Sequence, residues 1–126
     1  MSNRQRFTKK TRLCKKKDIQ RVCATGKTFT DTYSILYAFV RQPGEKTRIG
    51  VAAGKKLGGA VVRNRLKRCM REAYRLCQNE IKPGWDLFWI ARRSLLGARF
   101  ETFQAALDRL IKRAGICQKP ANKTGK

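Results

Sequence analysis

The residues best equipped for chemistry in this sequence are cations, crowded into Lys55–Arg75, KKLGGAVVRNRLKRCMREAYR. Arginine and lysine at that density bind anions, because a guanidinium takes two phosphate or carboxylate oxygens at once and an ammonium acts as a compact point charge. The groups that break bonds are scarce. With no histidine, three serines and eight acids in no paired pattern, the chain lacks the usual parts for general acid–base or triad chemistry. Two-metal phosphodiester hydrolysis needs clustered acids, and Glu72 and Glu80 on the basic segment stand eight residues apart. No catalytic residue is therefore assigned to the chain itself.

The element that must carry these cations is a helix. Val62, Leu66, Cys69, Met70, Ala73 and Cys77 recur at three- and four-residue intervals and should face a core. Asn64, Lys67, Arg68, Arg71 and Arg75 fall on the opposite side, with Arg63 and Arg65 on the flanks. Charged helix faces are commonly just solvated. Here the imbalance argues otherwise, since residues 60–80 hold six Lys or Arg against two Glu, too few acids to offset the repulsion. Gly54, Gly58 and Gly59 allow an irregular path into the helix, placing Lys55 and Lys56 near an N-terminus that already favours anions. The order of a P-loop is absent, because the lysines precede the later glycines.

Composition says which anion to expect. At 126 residues and 41% hydrophobic, the chain fits one domain with a packed core. Its 31 Lys plus Arg against 8 Asp plus Glu give a net charge of +23, beyond the roughly 2–8 that suits solubility alone. Nucleic acid is the leading partner, because neutralising phosphates releases condensed counterions. An anionic membrane is weaker, as the apolar side of the basic helix lacks the exposed Trp, Phe and Leu that would anchor it. No apolar run approaches ~18 residues and the N-terminus has no apolar core, so the chain is expected in the cytoplasm. The five cysteines, at 14, 23, 69, 77 and 117, form no CxxC pair and read as reduced thiols, with no metal site expected.

Along the chain, Leu13, Ile19, Val22 and Cys23 mark a short helix ending at Gly26. Residues 1–12 are expected as a flexible basic arm, 13–115 as a single RNA-binding domain, and 116–126 as a flexible basic tail. Alternation from Phe29 to Val40 predicts one strand with Tyr33, Ile35, Tyr37 and Phe39 on one face. That face either packs under a helix or stacks unpaired bases. Pro43-Gly44 then predicts an antiparallel hairpin with a strand at Arg48–Ala53. Trp85–Ala91 reads as a buried strand. Phe100, Phe103, Ala106, Leu107, Leu110 and Ile111 mark a last helix ending near Gly115.

With these segments in order, the sequence closely resembles the protein component of bacterial ribonuclease P. The resemblance rests on a strand ending RIGVAAGKK, a glycine-containing loop, and AVVRNRLKR at Ala60–Arg68, and it extends over roughly residues 10–115. It implies an α/β (α+β) two-layer sandwich, a small mixed sheet with packed helices and a left-handed βαβ crossover, a rare hand. It also implies a division of labour: a catalytic RNA performs Mg²⁺-dependent removal of the 5′ leader from precursor tRNA, and one protein chain per RNA stabilises that RNA and holds the leader. By position, Lys55, Lys56, Arg63, Asn64, Arg65, Lys67, Arg68 and Arg71 would contact the catalytic RNA. Lys15, Lys16, Ile19, Cys23 and Tyr37 would line the leader cleft. Relatives commonly carry phenylalanine where this chain has Ile19 and Cys23, and serine where it has Gly54. The alternative that the same charge allows is a stand-alone RNA-binding protein, such as a ribosomal protein or RNA chaperone. The missing catalytic groups give the first test: the purified protein, free of RNA, should leave precursor tRNA uncut, and authentic 5′-end cleavage by it would overturn the division of labour.

Overall fold

The computed structural model describes residues 12, 13 and 15–118. Most of the expected arm and the end of the expected tail, residues 1–11 and 119–126, lie outside the described residues. In chain order the elements are α1 (Lys16–Thr25), β1 (Lys27–Thr30), β2 (Ser34–Val40), β3 (Arg48–Ala52), α2 (Ala60–Cys77), β4 (Trp85–Ala91) and α3 (Phe100–Ala114). The strands form one mixed sheet in the order β1-β2-β4-β3. β1 with β2 and β2 with β4 are antiparallel, whereas β3 runs parallel to β4, joined to it through α2 as a βαβ unit.

This order corrects two expectations. Phe29–Val40 is not one strand, because Asp31 folds it: its Oδ1 accepts the N–H groups of Tyr33 and Ser34, both at 2.9 Å, an Asx turn that closes a β1–β2 hairpin. Tyr33 therefore sits in the turn against the core and does not share a face with Tyr37. The second correction concerns Pro43-Gly44, which does not join a hairpin: β4 inserts between β2 and β3, and Leu87, Trp89 and Ala91 supply a more apolar strand to the centre than β3 could. Strand pairing of this kind is decided by distant residues, not by the local turn.

Alternation within each strand sorts the side chains onto two faces. Leu36, Ala38, Ile49, Leu87, Trp89 and Ala91 join Leu66, Met70, Ala73 and Tyr74 of α2 and Phe103, Ala106, Leu107 and Leu110 of α3 in the main core. Full burial of each large apolar side chain contributes about 1.5–3 kcal/mol. Trp89 is fully buried, and its indole N–H donates to the equally buried Ser34 Oγ at 2.8 Å. α1 packs across β2 and β4 with Val22 fully buried but outside that cluster, so helices cover both faces and the two-layer description holds only for the α2–α3 side. Ile116 is fully buried and Cys117 bridges to Ile81, which brings residues 116–118, expected in the tail, into the fold. Likewise Arg12, expected in the arm, pairs with Ile49 at the open edge of β3.

Two glycines set the spacing on the α1 face. A Cβ at Gly26 would stand 2.7 Å from the Ala38 carbonyl oxygen, so glycine lets α1 end directly on β2. At Gly50 a Cβ would meet the Leu13 carbonyl oxygen at 2.6 Å, so glycine admits the chain leading into α1 against the sheet edge.

Charge completes the anchoring. Asp86, fully buried in β4, accepts hydrogen bonds from Arg41 Nε at 3.1 Å and from Arg48 Nε and Nη2 at 2.8 and 2.7 Å. Arg48 also reaches Asp18 of α1 at 3.4 Å. Its hydrogen bond with Asp86 is the main cause that raises the Arg48 guanidinium above its ordinary pKa, against the opposing effect of burial. Replacing one member of a buried pair strands the others, so Asp86→Ala should lose about 3–5 kcal/mol in urea denaturation. A loss within about 1 kcal/mol, the scale of an exposed pair, would contradict this role.

Candidate nucleic-acid interface

α2 follows a short 3₁₀ turn at Lys55–Leu57 and starts after Gly59, without a side-chain cap. Arg63 Nε donates to the Gly58 carbonyl at 3.1 Å, closing the loop onto the first turn. Buried Leu66, Met70, Ala73 and Tyr74 fix the rotation of the helix. Tyr74, absent from the expected stripe, is nearly as buried as Met70, and burial pushes its phenol pKa well up. Val62, expected in the core, is 39% exposed, because the inward stripe begins a turn later at Leu66. With that rotation Asn64, Arg65 and Arg68 are exposed and Arg63, Lys67 and Arg71 half-exposed, while Lys55 and Lys56 stand exposed just before the helix.

The placement of the acids leaves this surface uncompensated. Asp18 pairs with Arg21 and Arg48, Asp31 with Arg109, Glu45 with Arg41, Glu72 with Arg75, Asp86 with Arg41 and Arg48, and Asp108 with Lys112. Among the described residues no ion pair involves Lys55, Lys56, Arg63, Arg65, Lys67, Arg68 or Arg71. Arg75, by contrast, is held by Glu72 through hydrogen bonds of 3.0 and 2.6 Å. The free surface is therefore the first half of α2 and the turn before it.

A second surface lies on the sheet face beneath α1. Tyr37 of β2 is directly opposite Phe88 of β4, with Thr28 and Gly50 completing the row across the four strands. Tyr37 and Phe88 are half-buried. Ile19, also half-buried, shares a groove of about 270 Å³ with Phe88, Gly50, Leu13, Arg12 and Arg71. Cys23, one turn further along α1, is half-buried, and burial raises its thiol pKa. Lys15 and Lys16 are exposed where α1 begins.

Sequence reading missed Phe88 and Arg12. Trp85–Ala91 reads as uniformly apolar, yet period-two alternation within it separates Leu87 and Trp89 from Asp86 and Phe88. Arg71, expected beside Arg68, turns instead into the groove with Ile19, where burial and then the Arg12 charge lower its pKa. It thus stands between the basic helix face and the aromatic sheet face.

The chemistry open to this arrangement is recognition. One surface offers unpaired guanidinium and ammonium groups to a polyanion, and the other offers aromatic rings flanked by cations to a single strand. Among the described residues no group of three or more His, Cys, Asp or Glu could hold a metal ion.

Comparison with known proteins identifies the family. A family model described as Ribonuclease P matches residues 7–115. The ribonuclease P protein component of Clostridioides difficile is 37% identical over 111 residues, covering 87% of this chain and 96% of the relative. That of Symbiobacterium thermophilum is 39% identical over 100 residues, covering 79% and 87%. Among solved structures, the RNase P protein of Staphylococcus aureus superposes with a TM-score of 0.75 at 28% identity, covering 85% of this chain and 97% of that one. The Thermotoga maritima protein gives 0.71 at 31%, covering 81% and 96%. A matching family model over most of the length, close relatives and the same fold lead to one conclusion: the chain belongs to the bacterial ribonuclease P protein family.

Proposed function

We propose that the free face of α2 docks this chain on a catalytic RNA while the cleft under α1 holds the 5′ leader of precursor tRNA. Membership of the family makes the chain the protein subunit of ribonuclease P, the ribonucleoprotein endoribonuclease that processes the 5′ end of precursor tRNA. The docking set is Lys55, Lys56, Arg63, Asn64, Arg65, Lys67 and Arg68, and the observation that carries it is the uncompensated charge of that face. Arg71 bridges towards the cleft. The leader set is Lys15, Lys16, Ile19, Cys23 and Tyr37, to which Phe88 is added. With Ile19 and Cys23 aliphatic or small, Tyr37 and Phe88 supply the stacking surface, worth ~1–3 kcal/mol per base where a base lies on a ring.

Hydrolysis belongs to the RNA in this reading. The described side chains do not fit a metal cradle, so Mg²⁺ is assigned to the RNA-catalysed reaction and no step is routed through this chain. What the protein contributes is positive charge that tolerates phosphate crowding where Mg²⁺ is limiting. One chain per catalytic RNA is taken, as the likeness to the family implies. No described helix is long and apolar enough to cross a membrane, and we place the complex in the cytoplasm with no membrane partner. The β3–α2–β4 crossover is taken as left-handed, as the likeness to the family implies.

The test combines the protein with a bacterial ribonuclease P RNA and precursor tRNA at low Mg²⁺. Authentic 5′ cleavage should rise on adding protein; a validated assay without stimulation would favour a stand-alone RNA-binding protein instead. Arg65→Ala with Arg68→Ala should weaken RNA binding and lower the slope of log affinity against log salt by about two, roughly one per lost phosphate contact, without altering the circular dichroism spectrum. An unchanged slope would remove these two arginines from the interface.

A further inference from the structure

Between the first turns of α2 and the segment leading into α3 lies an apolar groove of about 290 Å³, lined by Val61, Val62, Cys69, Leu96 and Phe103, with Arg65 at its rim. Val61 is 84% exposed, Val62 39% and Leu96 38%, the densest collection of exposed large apolar side chains among the described residues. β-branched valine is a mediocre helix former, so an uncovered Val61-Val62 pair at the start of α2 gains nothing for the free chain. Something should cover it when the chain works.

The rim says what. Arg65 lines the groove from α2, exposed Arg93 and Arg99 belong to the segment that supplies its other wall, and in residues 61–69 and 93–103 the sole acid is Glu101. A second copy of a chain with net charge +23 would bring two such rims together and be repelled. A membrane surface would need a projecting apolar face, whereas this one is concave. The volume sits at the lower limit of ~300 Å³ for small-ligand pockets, suited to a single ring system and too small for a partner helix. An apolar floor of that size inside a cationic rim fits one flat heterocycle with a phosphate on either side.

We propose that the groove receives a single unpaired nucleobase of the catalytic RNA, with Val61, Val62 and Leu96 enclosing the base and Arg65, Arg93 and Arg99 holding the flanking phosphates. This rests on the docking role proposed for α2. A base within a duplex cannot enter without unstacking, so the nucleotide belongs to a loop or bulge, where proteins commonly read RNA. The contact gives the docking helix a means of choosing a position on the RNA that phosphate contacts alone do not provide.

Val61→Ser combined with Leu96→Ser tests it, both positions being exposed, with Val61→Ser alone as the milder variant. Binding to a bacterial ribonuclease P RNA is measured across a salt series, and base accessibility is read by dimethyl sulfate. The double variant should melt like the wild type and bind roughly tenfold more weakly, the scale expected for losing a buried apolar contact, with an unchanged salt slope. The wild type should protect an unpaired base that the double variant leaves reactive. Affinity within about twofold of wild type, together with identical protections, would overturn the groove as a base site while leaving the docking role intact. Failure of the wild type to bind the RNA at all would overturn the docking role itself. Self-association of the RNA-free wild type that the double variant loses would make the groove a contact between copies and overturn the proposal.

Discussion

The structure depends on a carboxylate placed where carboxylates are costly. Asp86 is fully buried in the central strand β4, and Arg48 and Arg41 close over it from either side. Because Arg48 also meets Asp18, the same network reaches from the sheet to α1 and ties down a helix that has only Val22 as a fully buried anchor. A buried ion pair is a weak source of net stability and a good source of geometry, since its partners are satisfied in one arrangement. That arrangement lays α1 across β2 and β4 at one end of the sheet and leaves Tyr37 and Phe88 half-open beside it. The cleft is a consequence of where the charges pair.

The same economy explains the other surface. A chain with 31 cations and 8 acids can neutralise few of its own charges, so the positions of the acids decide which cations stay free. Asp18, Asp31 and Asp86 hold arginines that tie separate elements together, while Glu45 and Asp108 pair with cations four residues away. Asp31 shows the pattern on a small scale, closing the β1–β2 turn with one oxygen and holding Arg109 of α3 with the other at 3.1 Å. The first half of α2 receives no acid. That uncompensated charge is the basis of the docking role proposed for this face, and Arg71, turned into the groove beside Arg12, stands between it and the proposed leader cleft.

Much of this was legible in the sequence, and the limits have physical causes. The periodicities of α2 and α3 and the span of β4 are local properties, and the structure reproduces them. Pairing is not local: the turn at Pro43-Gly44 predicts a hairpin, but whether β3 lies beside β2 or beside β4 depends on residues some forty positions away. Asp31 broke an otherwise continuous alternation because its side chain competes with the strand for backbone N–H groups. The free cations of α2 were legible because their helical spacing and the shortage of acids beside them are both local properties of the sequence. Phe88 was not, because a strand buried on one face and half-open on the other looks apolar throughout. Resemblance to a known family supplied the division of labour, which no spacing of residues contains.

In the reading proposed above, two faces of one small domain hold two different RNAs. Site-specific photo-crosslinking within an assembled complex of protein, catalytic RNA and leader-bearing precursor tRNA tests it directly. A benzoylphenylalanine is placed at position 28, in register with Tyr37, or in a separate chain at position 68 on α2. Position 28 should label the leader and position 68 the catalytic RNA. Labelling of the same RNA from both positions, or none of the leader from position 28, would contradict it.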